Sequence, residues 1–186
     1  MKIFLDTEFT ELTSRGELIS IALVDETERI FYAEIIDYST EKLTNWHQEN
    51  VISNLFLEPG KETIGRSTLY KGNKKEFVIE LKTWLNEYLE SECRIIADVY
   101  MYDWVFFADL FGGALHLPRM LNFIPIDFAS ILYSQQIDPN INRNLISQSL
   151  NLMDSNSYIS KLNQHNALYD CLLLKKNFEK IVQKIY

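Results

Sequence analysis

The chain opens with three apolar stretches, at residues 2–9, 17–25 and 29–36, that are rich in β-branched and aromatic residues. Such stretches are typical of strands that lie inside a sheet. Short turns around Arg15-Gly16 and at residues 26–28 separate them. Because connections this short join strands that run in opposite directions, the pattern predicts an antiparallel meander of three strands.

Beyond residue 40, several segments have apolar residues at helical spacing. The clearest case is residues 74–92, where Phe77, Leu81, Trp84 and Tyr88 fall on one stripe. Residues 56–73 are rich in glycine and other turn residues. The remaining predictions are helices over residues 40–55, 102–111, 128–136 (with Asp127 as the cap), 142–152 and from Asn166 towards Ile185, and strands over residues 94–99 and 122–126.

Strands that are followed by alternating helices and strands indicate an α/β domain. The predicted fold is a single domain over residues 1–186. It has a mixed five-stranded sheet, with three antiparallel strands first, and helices flank the sheet. A chain of 186 residues is long enough for one domain with a sizeable core, and 47% hydrophobic residues exclude a disordered chain.

The net charge of −8 argues against a protein that grips long nucleic acid through a basic surface. It leaves room for a nuclease, because an acidic site binds phosphate through metal ions. Such an enzyme would hold a short end of its substrate and show a modest dependence on salt.

Composition also bears on the cellular setting. Met1 leads directly into the first predicted strand, so we expect no signal peptide and a cytoplasmic protein. No apolar stretch is long enough to cross a membrane, so no membrane partner is expected. Cys93 and Cys171 lie in apolar or amphipathic segments and are expected to be buried and reduced. With two cysteines and no CxxC motif, a zinc site is not expected.

The first candidate for chemistry is the pair Asp6 and Glu8 at the end of the first strand. Side chains alternate along a strand, so these two carboxylates project from the same side. They repel each other unless a cation or a proton intervenes, which makes them a platform for Mg²⁺ or Mn²⁺. The same spacing at Glu26/Glu28 and Glu90/Glu92 is better explained by a solvated turn and a helix end.

The second candidate is Asp103, where a buried strand gives way to a helix. A carboxylate is favoured at a helix start by capping and by the helix dipole, so a plain N-cap is the alternative interpretation. Asp98 competes for the same role, but it lies on the strand side and lacks the helix-start setting.

The third candidate is the segment from His165 to Asp170. His165 would precede the last helix, Asn166 would cap it and Asp170 would lie in its first turn. A loop histidine can swing towards a substrate, and an aspartate in a helix is held rigidly, as a metal ligand should be. The alternative is an exposed histidine and a surface aspartate. His47 and His116 are interpreted as structural or surface residues.

Taken together, these segments resemble the DEDDh family of 3′→5′ exonucleases. The first motif is similar to D-T-E-F (residues 6–9), the second to A-x-x-x-x-[YF]-D (residues 97–103) and the third to H-x-A-x-x-D (residues 165–170). All three stand in the family's order and span nearly the whole chain. Many members carry an H-N pair where this chain has Asp98-Val99.

The RNase AS group within that family, bacterial exoribonucleases that prefer adenylate-rich 3′ ends, is more similar still. The shared features are Phe4–Phe9, Glu17–Ile21, Phe31-Tyr32-Ala33, Trp46 before Val51, Val99, Tyr102-Asp103 and residues 110–113. This resemblance implies a ribonuclease H-like fold, a homodimer, and release of nucleoside 5′-monophosphates from the 3′ end of single-stranded RNA.

The resemblance also implies roles for individual residues. Asp6, Glu8, Asp103 and Asp170 would hold two divalent ions, Mg²⁺ or Mn²⁺, and His165 would be the general base. Phe9 would bind substrate by stacking on the terminal base, with a core position as the equal alternative.

Three other functions stay open at this point. One is a 3′→5′ exonuclease that acts on DNA with the same site, since no residue can be assigned to recognition of the 2′-hydroxyl. Another is a non-catalytic relative that binds nucleic acid or a protein partner. The third is an acidic α/β domain whose motif matches are accidental.

Overall fold

The computed structural model describes residues 1–147 and 162–182, which form a mixed sheet of seven strands with helices on both faces. The strands are β1 (Lys2–Phe9), β2 (Leu18–Asp25), β3 (Ile30–Ile35), β4 (Gly60–Ile64), β5 (Ser67–Gly72), β6 (Arg94–Ala97) and β7 (Ile126–Asp127). Their spatial order is β4-β5-β3-β2-β1-β6-β7. Strand β1 lies between antiparallel β2 and parallel β6, so it is central to the sheet.

The predicted meander is confirmed, because β1, β2 and β3 pair in antiparallel fashion. Strand β2 is buried along its entire length, which explains its unbroken apolar sequence. The described helices are α1 (Asn45–Asn50), α2 (Lys74–Leu85), α3 (Met101–Asp109), α4 (Phe128–Ser134), α5 (Arg143–Ser147) and α6 (Ala167–Val182).

Two hydrophobic cores lie on opposite faces of the sheet. Side chains alternate along β1, so Ile3 and Leu5 join the core that α2 and α3 cover. Phe4 points the other way, into the core with α4 and α6, where its ring meets Phe178 edge-on at 5.5 Å. Cys93 and Cys171 are buried and unpaired, as expected. Among the described segments, no helix is long and apolar enough to span a bilayer.

The expected count of five strands is wrong, because residues 56–73 contain a hairpin rather than turns alone. Strands β4 and β5 pair in antiparallel fashion around Gly65, which has a φ of +61°. Strand β4 forms the edge of the sheet and is almost wholly exposed, so its sequence lacks alternating apolar residues. The glycines that suggested turns therefore mark the ends of a short edge hairpin.

The predicted helix over residues 40–55 is also wrong as one element. Two short 3-10 turns, Thr40–Lys42 and Ile52–Asn54, flank α1 instead. Thr44 begins α1 by a capping box, in which its hydroxyl accepts from the His47 backbone and its own N–H donates to the His47 ring. This extended residue interrupts the helical path.

The other predicted elements need smaller changes. The helix predicted over residues 74–92 ends at Leu85 and continues as a 3-10 turn, Asn86–Tyr88. The strand predicted over residues 122–126 is the two-residue β7. Asp127 caps α4 as predicted, since its carboxylate accepts from the Ser130 backbone N–H. The predicted helix over residues 142–152 is α5 as far as Ser147, and its remainder, like the end of the last helix, lies outside the described residues.

Candidate active site

The site begins at the end of β1, where successive side chains point to opposite faces of the sheet. Asp6 and Glu8 share the face of Phe4, which α6 covers, and both are partly exposed. Thr7, between them, is buried and points towards α3. One short strand segment therefore presents two acids on one face and a hydroxyl on the other.

Asp103 comes from the first turn of α3 and is buried beside the same strand. Its Oδ1 accepts hydrogen bonds from the Thr7 backbone N–H at 3.0 Å and from the Thr7 hydroxyl at 2.6 Å. Tyr100, rather than Asp103, occupies the N-cap position. The carboxylate of Asp103 thus joins α3 to β1 next to Asp6 and Glu8.

Asp170 and His165 come from the start of α6. Asn166 is fully buried and caps this helix, since its Oδ1 accepts from the backbone N–H groups of Leu168 and Tyr169. His165 has a φ of +65°, and its backbone N–H donates to Asp170 Oδ2 at 2.7 Å. The ring of Trp46 meets the His165 ring edge-on at 5.0 Å, and this contact helps to define the position of the imidazole.

The four carboxylates perturb one another strongly. Burial, followed by the charges of Asp170 and Asp103, raises the pKa of Glu8 to about 8. Burial and the same neighbours raise the pKa of Asp6 well above its ordinary value. The pKa values of Asp103 and Asp170 rise to about 7, chiefly through burial, although the bonds from Thr7 and His165 act in the opposite direction.

His165 differs from the carboxylates, because burial lowers its pKa. The imidazole is therefore neutral near pH 7 and able to accept a proton. Catalytic sites commonly combine a neutral base with neighbouring acids that titrate near pH 7, as Asp103 and Asp170 do here.

The donor set suits a divalent ion. One ligand atom each from Glu8, His165 and Asp170 lie within 4.8 Å of one another. Asp6 and Asp103 add further carboxylates that interact with this group. Carboxylate oxygens are the preferred ligands of Mg²⁺ and Mn²⁺, and a cation removes the repulsion that otherwise forces protons onto these acids.

A cleft of about 530 Å³ opens beside this group. Its described lining includes Asp6, His165 and Asp170, together with Asp98, Val99 and residues 139–144. The sequence prediction had no place for Arg143, which pairs with Asp98 in this cleft. No local pattern singles it out, since it is one arginine at the start of a predicted helix.

The structure brings together all five residues proposed for catalysis, from segments at residues 6–8, 103 and 165–170. Phe9 lies beside them but packs on α3, with its ring stacked on Phe106 at 4.9 Å and near Tyr102 at 6.3 Å. It is partly exposed. Its position therefore combines packing with an accessible face.

Comparison with known proteins gives two matches. No family model matches the sequence. Two curated proteins from two strains of Mycobacterium tuberculosis, each named as a 3′-5′ exoribonuclease, are 30% identical to the chain over 118 residues. The match covers 63% of this chain and 66% of each relative. It therefore spans slightly less than two thirds of the length of the curated relatives.

Proposed function

We propose that the protein is a metal-dependent 3′→5′ exoribonuclease of the DEDDh type, which releases nucleoside 5′-monophosphates from single-stranded RNA ends. The observation that carries this proposal is the convergence of Asp6, Glu8, Asp103, Asp170 and His165 beside one open cleft. The name of the two mycobacterial relatives supports RNA as the substrate. A ribonuclease H-like fold and a homodimer remain predictions from the family resemblance.

The four carboxylates would hold two ions, Mg²⁺ or Mn²⁺. Bound there, such ions activate water and stabilise the charge that develops on a phosphate in an in-line displacement. The raised pKa values support this assignment. Clustered carboxylates retain protons because their negative charges repel one another, and a bound cation can take the place of those protons. Thr7 keeps Asp103 oriented for this purpose through its two hydrogen bonds.

His165 would take the proton from the attacking water. The water oxygen bonds to the phosphorus of the last phosphodiester, and the bond from phosphorus to the 3′-oxygen of the preceding nucleotide breaks. The terminal nucleotide leaves with its 5′-phosphate, and the 3′-oxygen of the preceding nucleotide takes a proton from solvent to become a hydroxyl, while His165 returns its proton to solvent. The neutral imidazole suits this role, and the left-handed backbone at residue 165, which Asp170 holds, sets where the ring points.

Two finer features belong to the same proposal. Adenylate preference follows from the resemblance to the RNase AS group. Phe9 would stack on the terminal base with its exposed face, while Phe106 supports the other side of the ring.

The decisive experiment is digestion of a 5′-labelled oligoadenylate with Mg²⁺ or Mn²⁺. A ladder of products that shorten from the 3′ end supports the proposal. The ladder should be absent when the RNA carries a 3′-phosphate and when the protein carries Asp103→Asn. Asp109→Asn is the matched control, because Asp109 is an exposed acid on the same helix. A DNA oligomer of the same sequence ranks RNA against DNA. A folded protein that binds oligoadenylate without cleaving it would instead be a non-catalytic RNA-binding relative.

A further inference from the structure

The cleft beside the proposed catalytic group is acidic, which poses a problem for a substrate that carries one charge per phosphate. Among the described residues that line it, Asp6, Asp98 and Asp170 are acids, and Arg143 is the single lysine or arginine. Bound cations would neutralise the charge of the phosphate that reacts. A second phosphate in the same cleft needs hydrogen-bond donors of its own.

The Arg143 guanidinium is held in a fixed orientation by three hydrogen bonds. Its Nε donates to Asp98 Oδ2 at 2.5 Å, its Nη2 to Asp98 Oδ1 at 2.9 Å and its Nη1 to the Ile141 carbonyl at 2.6 Å. A guanidinium carries five N–H groups, so two of them have no hydrogen-bond partner among the residues that the structure describes. The side chain is 18% exposed, which leaves part of it accessible from the cleft.

Asp98 fixes how close this guanidinium lies to the catalytic carboxylates. It follows Ala97, and Ala97 is paired with Leu5 in the parallel β1–β6 ladder. Asp98 is therefore the first residue beyond the ladder, at the same end of the sheet as Asp6, and its carboxylate lines the cleft with Asp6 and interacts with it electrostatically. Val99, the next residue, adopts a left-handed φ of +53°, which is strained for a β-branched side chain.

The wall that carries Arg143 is also anchored to α6. Asn177 Nδ2 donates to the Arg143 carbonyl at 3.0 Å, and the Tyr169 hydroxyl donates to Asn144 Oδ1 at 3.0 Å. Both partners lie on the helix that supplies Asp170. The distance between Arg143 and the catalytic acids is therefore set by the packed scaffold, which lowers the entropic cost of binding a ligand between them.

We infer that Arg143, held in place by Asp98, binds the phosphate immediately upstream of the one that is cleaved. This inference rests on the proposed function. A 3′ end carries no further phosphate on its 3′ side, so a second phosphate in the cleft must belong to the preceding bond. Because Asp98 balances the charge of Arg143, the pair offers two directed N–H donors rather than a net positive charge.

Substrate length provides the test. Diadenylate has one phosphodiester, the bond that is cut, whereas triadenylate also has the upstream phosphate. We define the length ratio as kcat/KM for the trimer divided by kcat/KM for the dimer. A partly unfolded preparation lowers both values equally, so the ratio reports only contacts with the additional nucleotide.

We expect Arg143→Gln to lower the length ratio roughly tenfold, the loss that one charge-assisted hydrogen bond predicts. Arg143→Lys keeps a point charge and should retain part of the ratio. Arg66→Gln is the matched control, since it removes the same charge from an exposed arginine on Glu87, outside the cleft. Binding of labelled triadenylate and diadenylate to the inactive Asp103→Asn protein, with and without Arg143→Gln, should show the same difference.

Each outcome separates the two proposals. If the native protein cuts both oligomers and Arg143→Gln leaves the length ratio unchanged, the upstream-phosphate assignment is overturned while the nuclease stands. A native protein without any preference for the trimer overturns it as well. If the native protein cuts neither these oligomers nor a longer oligoadenylate, the proposed function itself fails; if it cuts only the longer one, binding of the trimer and dimer to the Asp103→Asn protein decides the assignment of Arg143.

Discussion

Thr7 donates two hydrogen bonds to a single oxygen of Asp103, although 96 residues separate them in the chain. The contact is buried and joins the central strand β1 to the first turn of α3. It lowers the pKa of Asp103 against the effect of burial. The bonds therefore favour the charged form of Asp103, which is the form that binds a cation.

We expect Thr7→Val to raise the metal concentration needed for half-maximal activity and to lower the free energy of unfolding by about 1–3 kcal/mol. Valine has the shape of threonine without the hydroxyl, so Asp103 loses one of its two donors. Metal titrations of activity and urea unfolding provide the measurements. Thr7→Ser keeps the hydroxyl and should stay near the native values. Equal metal dependence in all three proteins would contradict this account.

The stability of the metal-free protein should depend on pH. The folded pKa values of Glu8, Asp103 and Asp170 are about 8, 7 and 7, well above those of unfolded carboxyl groups. The folded protein therefore binds more protons than the unfolded chain. The contribution of these three groups to stability is fully present below about pH 4 and is lost as pH rises through 7 to 8.

In EDTA, we expect Tm to drop by on the order of 5–10 °C between pH 5.5 and pH 9. Added Mg²⁺ or Mn²⁺ should restore most of this loss, because cations replace the missing protons. Glu8→Gln cannot ionise and should flatten the profile, whereas Asp109→Asn, an exposed acid, should leave it unchanged. A flat profile together with no effect of metal would rule out the proposed cation site.

His165→Ala should lower kcat by about 10²–10⁴-fold, as loss of a general base predicts, with a much smaller change in KM. The carboxylates remain, so metal should still raise Tm as it does in the native protein. His116→Gln is the control, since His116 is exposed and contacts the Gly112 carbonyl. If the Tm increase disappears with His165, the imidazole is a metal ligand in the group with Glu8 and Asp170 rather than a base.

Asn166→Ala should cost about 2–4 kcal/mol of unfolding free energy and also reduce kcat. The residue caps α6, and its Nδ2 donates to the Tyr32 hydroxyl and the Asn54 carbonyl, which hold the His165 loop in place. Asn73→Ala removes the comparable cap of α2 and should lower stability while kcat is kept. Chemical unfolding and single-turnover rates measure the two effects; equal kcat in both variants would show that the cap is structural alone.

The parts of the fold that the sequence predicted are those where burial is continuous. Strands β1, β2 and β3 lie within one residue of their predicted ends. Helices cover both faces of the sheet there, so each apolar stretch of sequence ends where the strand is no longer buried. The hairpin of β4 and β5 was missed since backbone pairing, rather than apolar side chains, holds an exposed edge.

The candidate site divides in the same way. The sequence could single out five residues because each lies near the end of a predicted strand or the start of a predicted helix: Asp6, Glu8, Asp103, His165 and Asp170. Arg143 could not, since its partner Asp98 lies 45 residues away and only the three-dimensional packing of α5 and α6 brings them together.

The order of the site residues along the chain has a consequence during synthesis. Asp6 and Glu8 are made first, whereas His165 and Asp170 stand on α6, which packs on β1 through Phe4 and Phe178. A chain that is still growing on a ribosome and lacks α6 therefore carries only Asp6, Glu8 and Asp103, three of the five residues of the proposed centre. The proposed centre is therefore complete only after α6 has emerged and docked on β1.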